Sequence, residues 1–294
     1  MVKKYGIILL ALPLMAACSS APKRPAEIFS IQSMIETQIG RANREADQGN
    51  YAETLDLLGE AWRLAVMTDR PALRIRVNLA RANALYALDR TAEAEKVWRD
   101  AEIEAEFSGE PLLASASRVY RARSTMMSGR ANPEEVLALM EKEQENLKSD
   151  KLLAAMGWTV RGLAEKELGL YGEAEKSIRN ALSAHDKGRY LEQAAYDWYL
   201  IASIRSVSGN YREALEALNQ ALGFDRRAEN SFGLAMDWAA TGDVFRKMDM
   251  EEAAAISWHR SAEIFRAMDK AAQAREVEGR IKSRRQDSGT KKSQ

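Results

Sequence analysis

Small and large residues recur along this chain at a fixed spacing of 40 residues. When one unit is numbered so that its turn residue is position 15, position 8 is small throughout and position 24 is mostly large and apolar. Position 8 holds Ala42, Ala82, Ala122, Gly162, Ala202 and Gly242. Position 24 holds Leu58, Trp98, Ala138, Ile178, Leu218 and Trp258. Small residues let two helices approach closely and large residues fill the space beside them, so each unit is predicted to be a helical hairpin.

The turn of each unit is marked by glycine or aspartate. Position 15 holds Gly49, Asp89, Gly129, Gly169, Gly209 and Asp249. A residue with a left-handed backbone conformation is expected at this position, because such a residue commonly ends a helix. Glycine adopts this conformation without the steric cost of a Cβ. The second helix follows at once, which predicts that the two helices run antiparallel.

The fifth unit carries the most complete set of these residues: Trp198, Ala202, Gly209, Tyr211, Ala214, Leu218 and Ala221. This pattern resembles the tetratricopeptide repeat, and the resemblance covers residues 35–268 in six units. It implies an all-α fold, a right-handed α-solenoid of six hairpins within residues 31–285. A last helix over 271–285 is expected to cover the exposed face of unit six, since repeat arrays need such a cap. Residues 286–294 are polar and are predicted to be disordered.

The third unit departs from the pattern. Pro133, Glu134 and Glu141 stand where small residues belong. An insertion at residues 130–132 would bring Val136 near the slot for a small residue. We therefore expect the weakest packing between units three and four.

The first 17 residues have the features of a signal peptide. Lys3 and Lys4 precede an apolar run, residues 7–15, that is shorter than the roughly 20 residues needed to span a bilayer. Residues 15–18, Met-Ala-Ala-Cys, resemble the lipobox of bacterial lipoproteins, which implies a covalent lipid such as palmitate on Cys18. Residues 18–30 would then be a tether, and Ser19 favours the outer membrane, facing the periplasm. The alternative is an ordinary secretory leader with a chance cysteine.

Charge and residue inventory limit the chemistry. The chain has 43 basic and 43 acidic residues, so its charge does not favour nucleic acid as a partner. Cys18 is the only cysteine, and no metal-ligand spacing involves His185 or His259. His185 is expected in a loop and His259 on a helix surface. We predict neither enzymatic activity, nor a metal site, nor any cofactor beyond the lipid.

The resemblance also implies a binding surface. In tetratricopeptide proteins, certain positions of the first helix line the concave face of the solenoid. In this chain those positions include Asn43, Arg76, Asn83, Tyr86, Arg123, Tyr196, Tyr199, Asp243 and Arg246. Amide, guanidinium and phenol groups suit an extended peptide, which predicts a partner-binding groove. The alternative is a solvated surface with scattered polar residues.

Position 7 forms a column of arginines in the first four units: Arg41, Arg81, Arg121 and Arg161. One interpretation is structural ion pairing, with Arg41 on Glu45 and Arg161 on Glu165. The other interpretation is an anion-binding stripe along the solenoid.

Together these patterns predict a lipid-anchored adaptor or scaffold of the bacterial cell envelope that binds a protein partner through its concave face. The alternative is an accessory protein of a transport system that binds a small ligand inside a closed superhelix. A cavity lined by Met156, Arg123, Tyr196 and Tyr199 would favour the second hypothesis, and an open groove the first.

Overall fold

The computed structural model describes residues 30–47 and 49–290, with side chains from 30–46 and 49–281. This part of the chain is entirely helical, with thirteen helices and no strand. The helices are α1 Ser30–Asp47, α2 Tyr51–Met67, α3 Pro71–Ala87, α4 Thr91–Phe107, α5 Pro111–Met127, α6 Pro133–Leu147, α7 Lys151–Glu167, α8 Tyr171–Gly188, α9 Leu191–Val207, α10 Tyr211–Ala228, α11 Ser231–Lys247, α12 Glu251–Ala267 and α13 Ala271–Thr290. Helices α1 to α12 form six consecutive hairpins and α13 follows the last, so the all-α solenoid prediction is confirmed.

Left-handed residues punctuate the helices at intervals of 20 residues. Their φ angles range from 48° at Asp69 to 85° at Gly209. The full set is Gly49, Asp69, Asp89, Gly109, Gly129, Gly169, Arg189, Gly209, Glu229, Asp249 and Asp269. All six predicted turn residues belong to it, and the others end the second helix of a hairpin. The repeat of 40 residues is therefore two helices of similar length, each closed by one left-handed residue except α6, which ends without one.

The core follows the predicted columns. The small residues of position 8 are buried in all six hairpins. They face large buried residues of the second helix, of which Trp98 and Trp258 are the largest. Most of these side chains are aliphatic or aromatic, so the solenoid is held together mainly by apolar packing.

The third hairpin is out of register with the others. Helix α6 begins two residues later than the period predicts, and the Asn132 side chain caps it by accepting a hydrogen bond from the Glu135 amide. Val136 and Met140 are buried while Glu134 is exposed, as the expected insertion implies. Because α6 ends on schedule at Leu147, the extra residues of the turn are absorbed within this hairpin.

The register shift places a charged residue in the core. Glu143 occupies the slot that holds alanine or serine in the other hairpins, and it is fully buried. Its carboxylate accepts a short hydrogen bond from the Ser115 hydroxyl and pairs with Arg118 Nη1 at 3.0 Å. Arg118 also pairs with Glu102 and Glu106 of α4, so this network replaces the apolar contact found elsewhere.

The prediction that the joint between hairpins three and four is the weakest is wrong. Helices α6 and α7 pack as extensively as the helices at other joints. Helices α5 and α6 pack less than the two helices of the second, fourth, fifth or sixth hairpin. The shorter, shifted α6 packs less closely on α5, while the Leu147 side chain lies against Gly157 of α7. A pocket of about 170 Å³ remains beside Met140 and Trp158.

The two ends of the solenoid meet. Lys270, in the turn before α13, donates from Nζ to the Gly49 carbonyl oxygen in the turn of the first hairpin, at 3.3 Å. The predicted signal peptide, the predicted lipidation site Cys18 and the predicted tether up to residue 29 lie outside the described residues. Helix α13 continues to Thr290, beyond the predicted limit of 285. Among the described helices, none is long and apolar enough to cross a bilayer.

Candidate functional site

The predicted groove residues lie on the first helices of the hairpins. Successive first helices contact one another (α3 with α5, α5 with α7, α9 with α11), and no comparable contact joins second helices in the described part. The first helices therefore form the inner face of the solenoid. Asn43 lies on α1, Arg76, Asn83 and Tyr86 on α3, Arg123 on α5, Tyr196 and Tyr199 on α9, and Asp243 and Arg246 on α11.

Three of these side chains form the centre of the inner face. The Arg123 guanidinium lies over the Tyr196 ring, 5.6 Å from its centroid, although the two residues are two hairpins apart. The Tyr196 ring is stacked with the Tyr199 ring at 6.2 Å, with 13° between their planes. Burial raises the pKa of Tyr199, and the neighbouring Tyr196 and acidic groups raise it further. Tyr199 is therefore a neutral phenol at physiological pH.

Asp243 joins this centre to the last helix. Its Oδ2 accepts a hydrogen bond from Arg280 Nη1 of α13 at 2.6 Å, and its Oδ1 accepts one from Trp258 Nε1 at 3.1 Å. The Arg246 guanidinium lies 5.3 Å from the Trp258 ring centroid and 3.9 Å from Asp243. Two guanidinium groups thus compensate the charge of the Asp243 carboxylate.

The remaining predicted residues do not join this cluster. The Tyr86 hydroxyl donates to the Ser124 carbonyl oxygen at 2.9 Å, and its ring lies 6.0 Å from that of Trp98. Asn83 is half-buried, while Asn43 and Arg76 are exposed. The structure therefore brings together Arg123, Tyr196, Tyr199, Asp243 and Arg246, and leaves the other four apart.

The sequence of the fifth hairpin settles the type of repeat. A family model described as the tetratricopeptide repeat matches residues 198–227, which span most of α9 and α10. The chain therefore contains a tetratricopeptide repeat within its array of six helical hairpins.

Solved structures share this tetratricopeptide fold at low sequence identity. A Rap protein complexed with Competence and Sporulation Factor is 15% identical, with a TM-score of 0.61, over 88% of this chain and 77% of that chain. BtubC (BKLC) from P. vanneervenii is 18% identical, with a TM-score of 0.55, over 80% and 92%. PilW, a type IV pilus biogenesis factor, is 13% identical, with a TM-score of 0.52, over 83% and 97%. No curated protein sequence matches this chain. At these identities the likeness concerns the fold alone.

The arginine column of the tetratricopeptide repeats has mixed partners. The predicted pair of Arg161 with Glu165 is present at 2.8 Å. Arg121 pairs instead with Glu102, on the second helix of the preceding hairpin, at 3.2 Å.

The other two arginines of the column contact amides. Arg81 donates to Asn78 at 3.1 Å, and Arg41 to Gln38 at 3.4 Å. The predicted pair of Arg41 with Glu45 is absent, because Glu45 accepts a hydrogen bond from Asn50. Each described arginine of the column thus already has a partner, which favours the structural interpretation.

The loop assignment of His185 is wrong. His185 lies within α8, which continues to Gly188 because the left-handed residue is Arg189, and it is buried. Its Nδ1 lies 2.6 Å from Asp197 Oδ2 across the joint to the next hairpin. Burial raises the pKa of Asp197, and the hydrogen bond with His185 opposes that rise. His259 is exposed on α12, as predicted.

The next joint carries two acids at the equivalent positions. Asp225 and Asp237 are 3% and 2% exposed, and their carboxyls interact directly. Burial, followed by the charge of Asp225, raises the pKa of Asp237 to about 9. Burial raises the pKa of Asp225 to about 6, although Asn230 donates to its Oδ1 at 2.9 Å. At neutral pH Asp237 therefore holds a proton.

Sequence reasoning missed Arg280 and the buried acids. Continuing the numbering into α13 places Arg280 at position 6, beside the groove columns, so its location could have been found. Asp225 shares its column with Ala65, Ala105 and His185, and Asp237 shares its column with Val77 and Asp197. Charged or polar residues in columns that begin with apolar or small ones are the available signal. In the described part of the chain no group of three histidine, cysteine or acidic residues could hold a metal ion.

Proposed function

We propose that this protein is a lipid-anchored adaptor of the bacterial cell envelope that binds an extended segment of a protein partner along its inner face. The fold alone indicates a protein-interaction scaffold. The anchor, the envelope location and the use of the inner face belong to the proposal.

The observation that carries it is the connected surface formed by Arg123, Tyr196, Tyr199, Asp243 and Arg280. These side chains come from α5, α9, α11 and α13, so they run across half of the array. All five are partly exposed. Stacked phenols offer contact area at low entropy cost, and guanidinium groups can bind the backbone or carboxylates of a peptide.

The anchoring part rests on residues 1–18. A charged start, a short apolar run and a single cysteine after two alanines are the arrangement found in lipoprotein precursors. A lipid on this cysteine that carries two or more acyl chains would be enough to hold the solenoid at a membrane, because two acyl chains anchor a protein stably.

The test places a photo-crosslinking residue, p-benzoylphenylalanine, at Tyr196 in living cells. The matched control places it at Gln220, an exposed residue on the second helix of the same hairpin. We expect a protein adduct at position 196, lost when Arg123 is changed to alanine, and no equivalent adduct at 220. Adducts at both positions, or none at 196, would contradict the use of the inner face.

One observation favours the small-ligand alternative. The hydrogen bond between Lys270 and Gly49 joins the first and last turns, as a closed superhelix requires. If the protein encloses a ligand, position 196 gives no protein adduct, and native mass spectrometry of protein purified from cells shows a bound small molecule. That result would replace the adaptor proposal.

A further inference from the structure

The edge of the solenoid where second helices end carries apolar side chains in full contact with solvent. Phe107, the last residue of α4, is 93% exposed, and Met67, the last residue of α2, is 71% exposed. The two residues occupy the same position of consecutive hairpins. Ile103 lies one helical turn before Phe107 and is 65% exposed. Side chains of this kind are costly in water, so a cluster of them indicates a contact surface.

The first helix begins at the same edge. In an antiparallel hairpin the first residue of one helix lies beside the last residue of the other. The contact of Arg70 Nη1, after α2, with Gln32 Oε1, in the first turn of α1, confirms this at 2.7 Å. Met34 on α1 is 53% exposed. We call the surface of Met34, Met67, Ile103 and Phe107 the N-terminal edge.

On this edge, the most exposed apolar side chains lie in this part of the array, because Leu152, Tyr190 and Phe232 further along it are only 37–40% exposed. In the fourth and fifth hairpins, the position of Met67 and Phe107 is held by Lys187 and Arg227, which are exposed. In the third hairpin the register shift places Leu147 at the buried position of Ala65 and Ala105 instead. The edge therefore has its most exposed apolar side chains at the N-terminal end, and exposed lysine and arginine at the same repeat position further along.

The chain that leads to Cys18 enters the solenoid here. Residues 18–29 join α1 at Ser30, and about 12 residues reach at most about 40 Å when extended. If Cys18 carries the lipid, the bilayer is held within this distance of the N-terminal edge. A short tether raises the effective concentration of one surface at the other, so even a weak apolar contact would be populated.

We propose that the N-terminal edge lies against the bilayer in which Cys18 is anchored, with Phe107, Ile103 and Met67 in the interfacial region. The proposal rests on the lipid anchor of the proposed function and adds an orientation to it. The bilayer fits the observations because the apolar residues cluster where the tether begins and are replaced by lysine and arginine away from it.

The experiment uses the full chain, processed in a bacterium and reconstituted in vesicles of phosphatidylethanolamine and phosphatidylglycerol. Phe107→Cys is labelled with the fluorophore NBD, and quenching by nitroxide-labelled lipids is measured. Lys187→Cys is the matched control, because it has the same repeat position on the same edge. Both sites are exposed, so neither substitution disturbs the core.

The number of labels per chain tests the anchor separately. Cys18 is the only natural cysteine, so a lipidated chain takes one label and an unmodified chain takes two. We expect one label, at least twofold quenching at 107 and little quenching at 187. One label with equal quenching at both sites, or none at 107, overturns the orientation while leaving the anchor intact. A label at 107 that is shielded from aqueous iodide but unquenched by lipid shows that a protein covers the edge, which also overturns the proposal. Two labels per chain remove the anchor and the proposal with it.

Discussion

Replacing Asp237 with asparagine is expected to change how the stability of the solenoid depends on pH. In the folded protein Asp237 has a pKa of about 9, against an ordinary value of 3.8. The folded state therefore keeps a proton that the unfolded chain has lost by pH 6. Because the folded pKa is raised, the stabilising contribution is fully present below pH 4 and is lost as the pH rises towards 9.

The magnitude follows from the number of protons. When one proton is bound only in the folded state, the free energy of unfolding falls by about 1.4 kcal/mol for each unit by which the pH rises. Between pH 6 and pH 8 the loss is about 3 kcal/mol. Asp225, with a pKa of about 6, adds a second contribution below pH 6. Asparagine has the shape of the protonated acid, but it does not titrate. Above pH 6, the free energy of unfolding of the variant is therefore expected to rise relative to that of the wild type by about 1.4 kcal/mol per pH unit.

The assay is urea denaturation followed by circular dichroism at pH 5, 6, 7 and 8 for both proteins. Using the difference between them removes the contribution of all other titrating groups. The control is Glu216→Gln, an exposed carboxylate on α10, whose difference from wild type should not vary with pH. If the difference in urea midpoint between Asp237→Asn and wild type is the same at every pH, Asp237 does not hold a proton in the folded state and the prediction is refuted.

Three further predictions concern packing, and thermal or urea denaturation checks each of them. Gly223→Ala should stabilise the folded protein by about 1 kcal/mol, because a Cβ there meets no atom within 4 Å and alanine favours the helix. Gly242→Ala should destabilise it by about 1–3 kcal/mol, because its Cβ would lie 2.5 Å from the Trp258 ring. Equal effects of the two would refute the close approach at position 8. Glu143→Ala should cost about 3 kcal/mol, since it removes a fully buried partner of Arg118 that Glu102 and Glu106 replace only in part; an unchanged midpoint would show that the pair contributes nothing. Asn132→Ala removes the side-chain cap of α6 and should cost about 1 kcal/mol of unfolding free energy. Asn210→Ala is the control and should change nothing, because the Asn210 side chain makes no cap hydrogen bond to α10.

The fold was predictable because its determinants are local and repeated. Each unit carries a turn residue and a set of small residues at fixed spacing, and six copies of a weak pattern make a strong one. The second turn of each hairpin was harder to locate. Arg189 and Glu229 adopt left-handed φ angles there without being glycine, so no residue type announced the helix end, and His185 was placed in a loop.

The candidate site was predictable only in part. Columns identify which side chains face inwards, and they found Arg123, Tyr196, Tyr199, Asp243 and Arg246. The columns give no information on the curvature of the solenoid, and this curvature brings Arg123 next to Tyr196, two hairpins away. The partners of Asp243 and of the buried acids likewise depend on contacts across joints.

The register shift of the third hairpin has a consequence for how such a chain can change during evolution. Its turn is two residues longer than those of the other hairpins, yet α7 begins on the same count, because α6 is two residues shorter than α2 and α4. Two extra residues are thus compensated within one module, and the modules that follow keep their register. A lineage with this property can vary one module, including its buried charges and the pocket beside Trp158, while the others continue to be inherited unchanged.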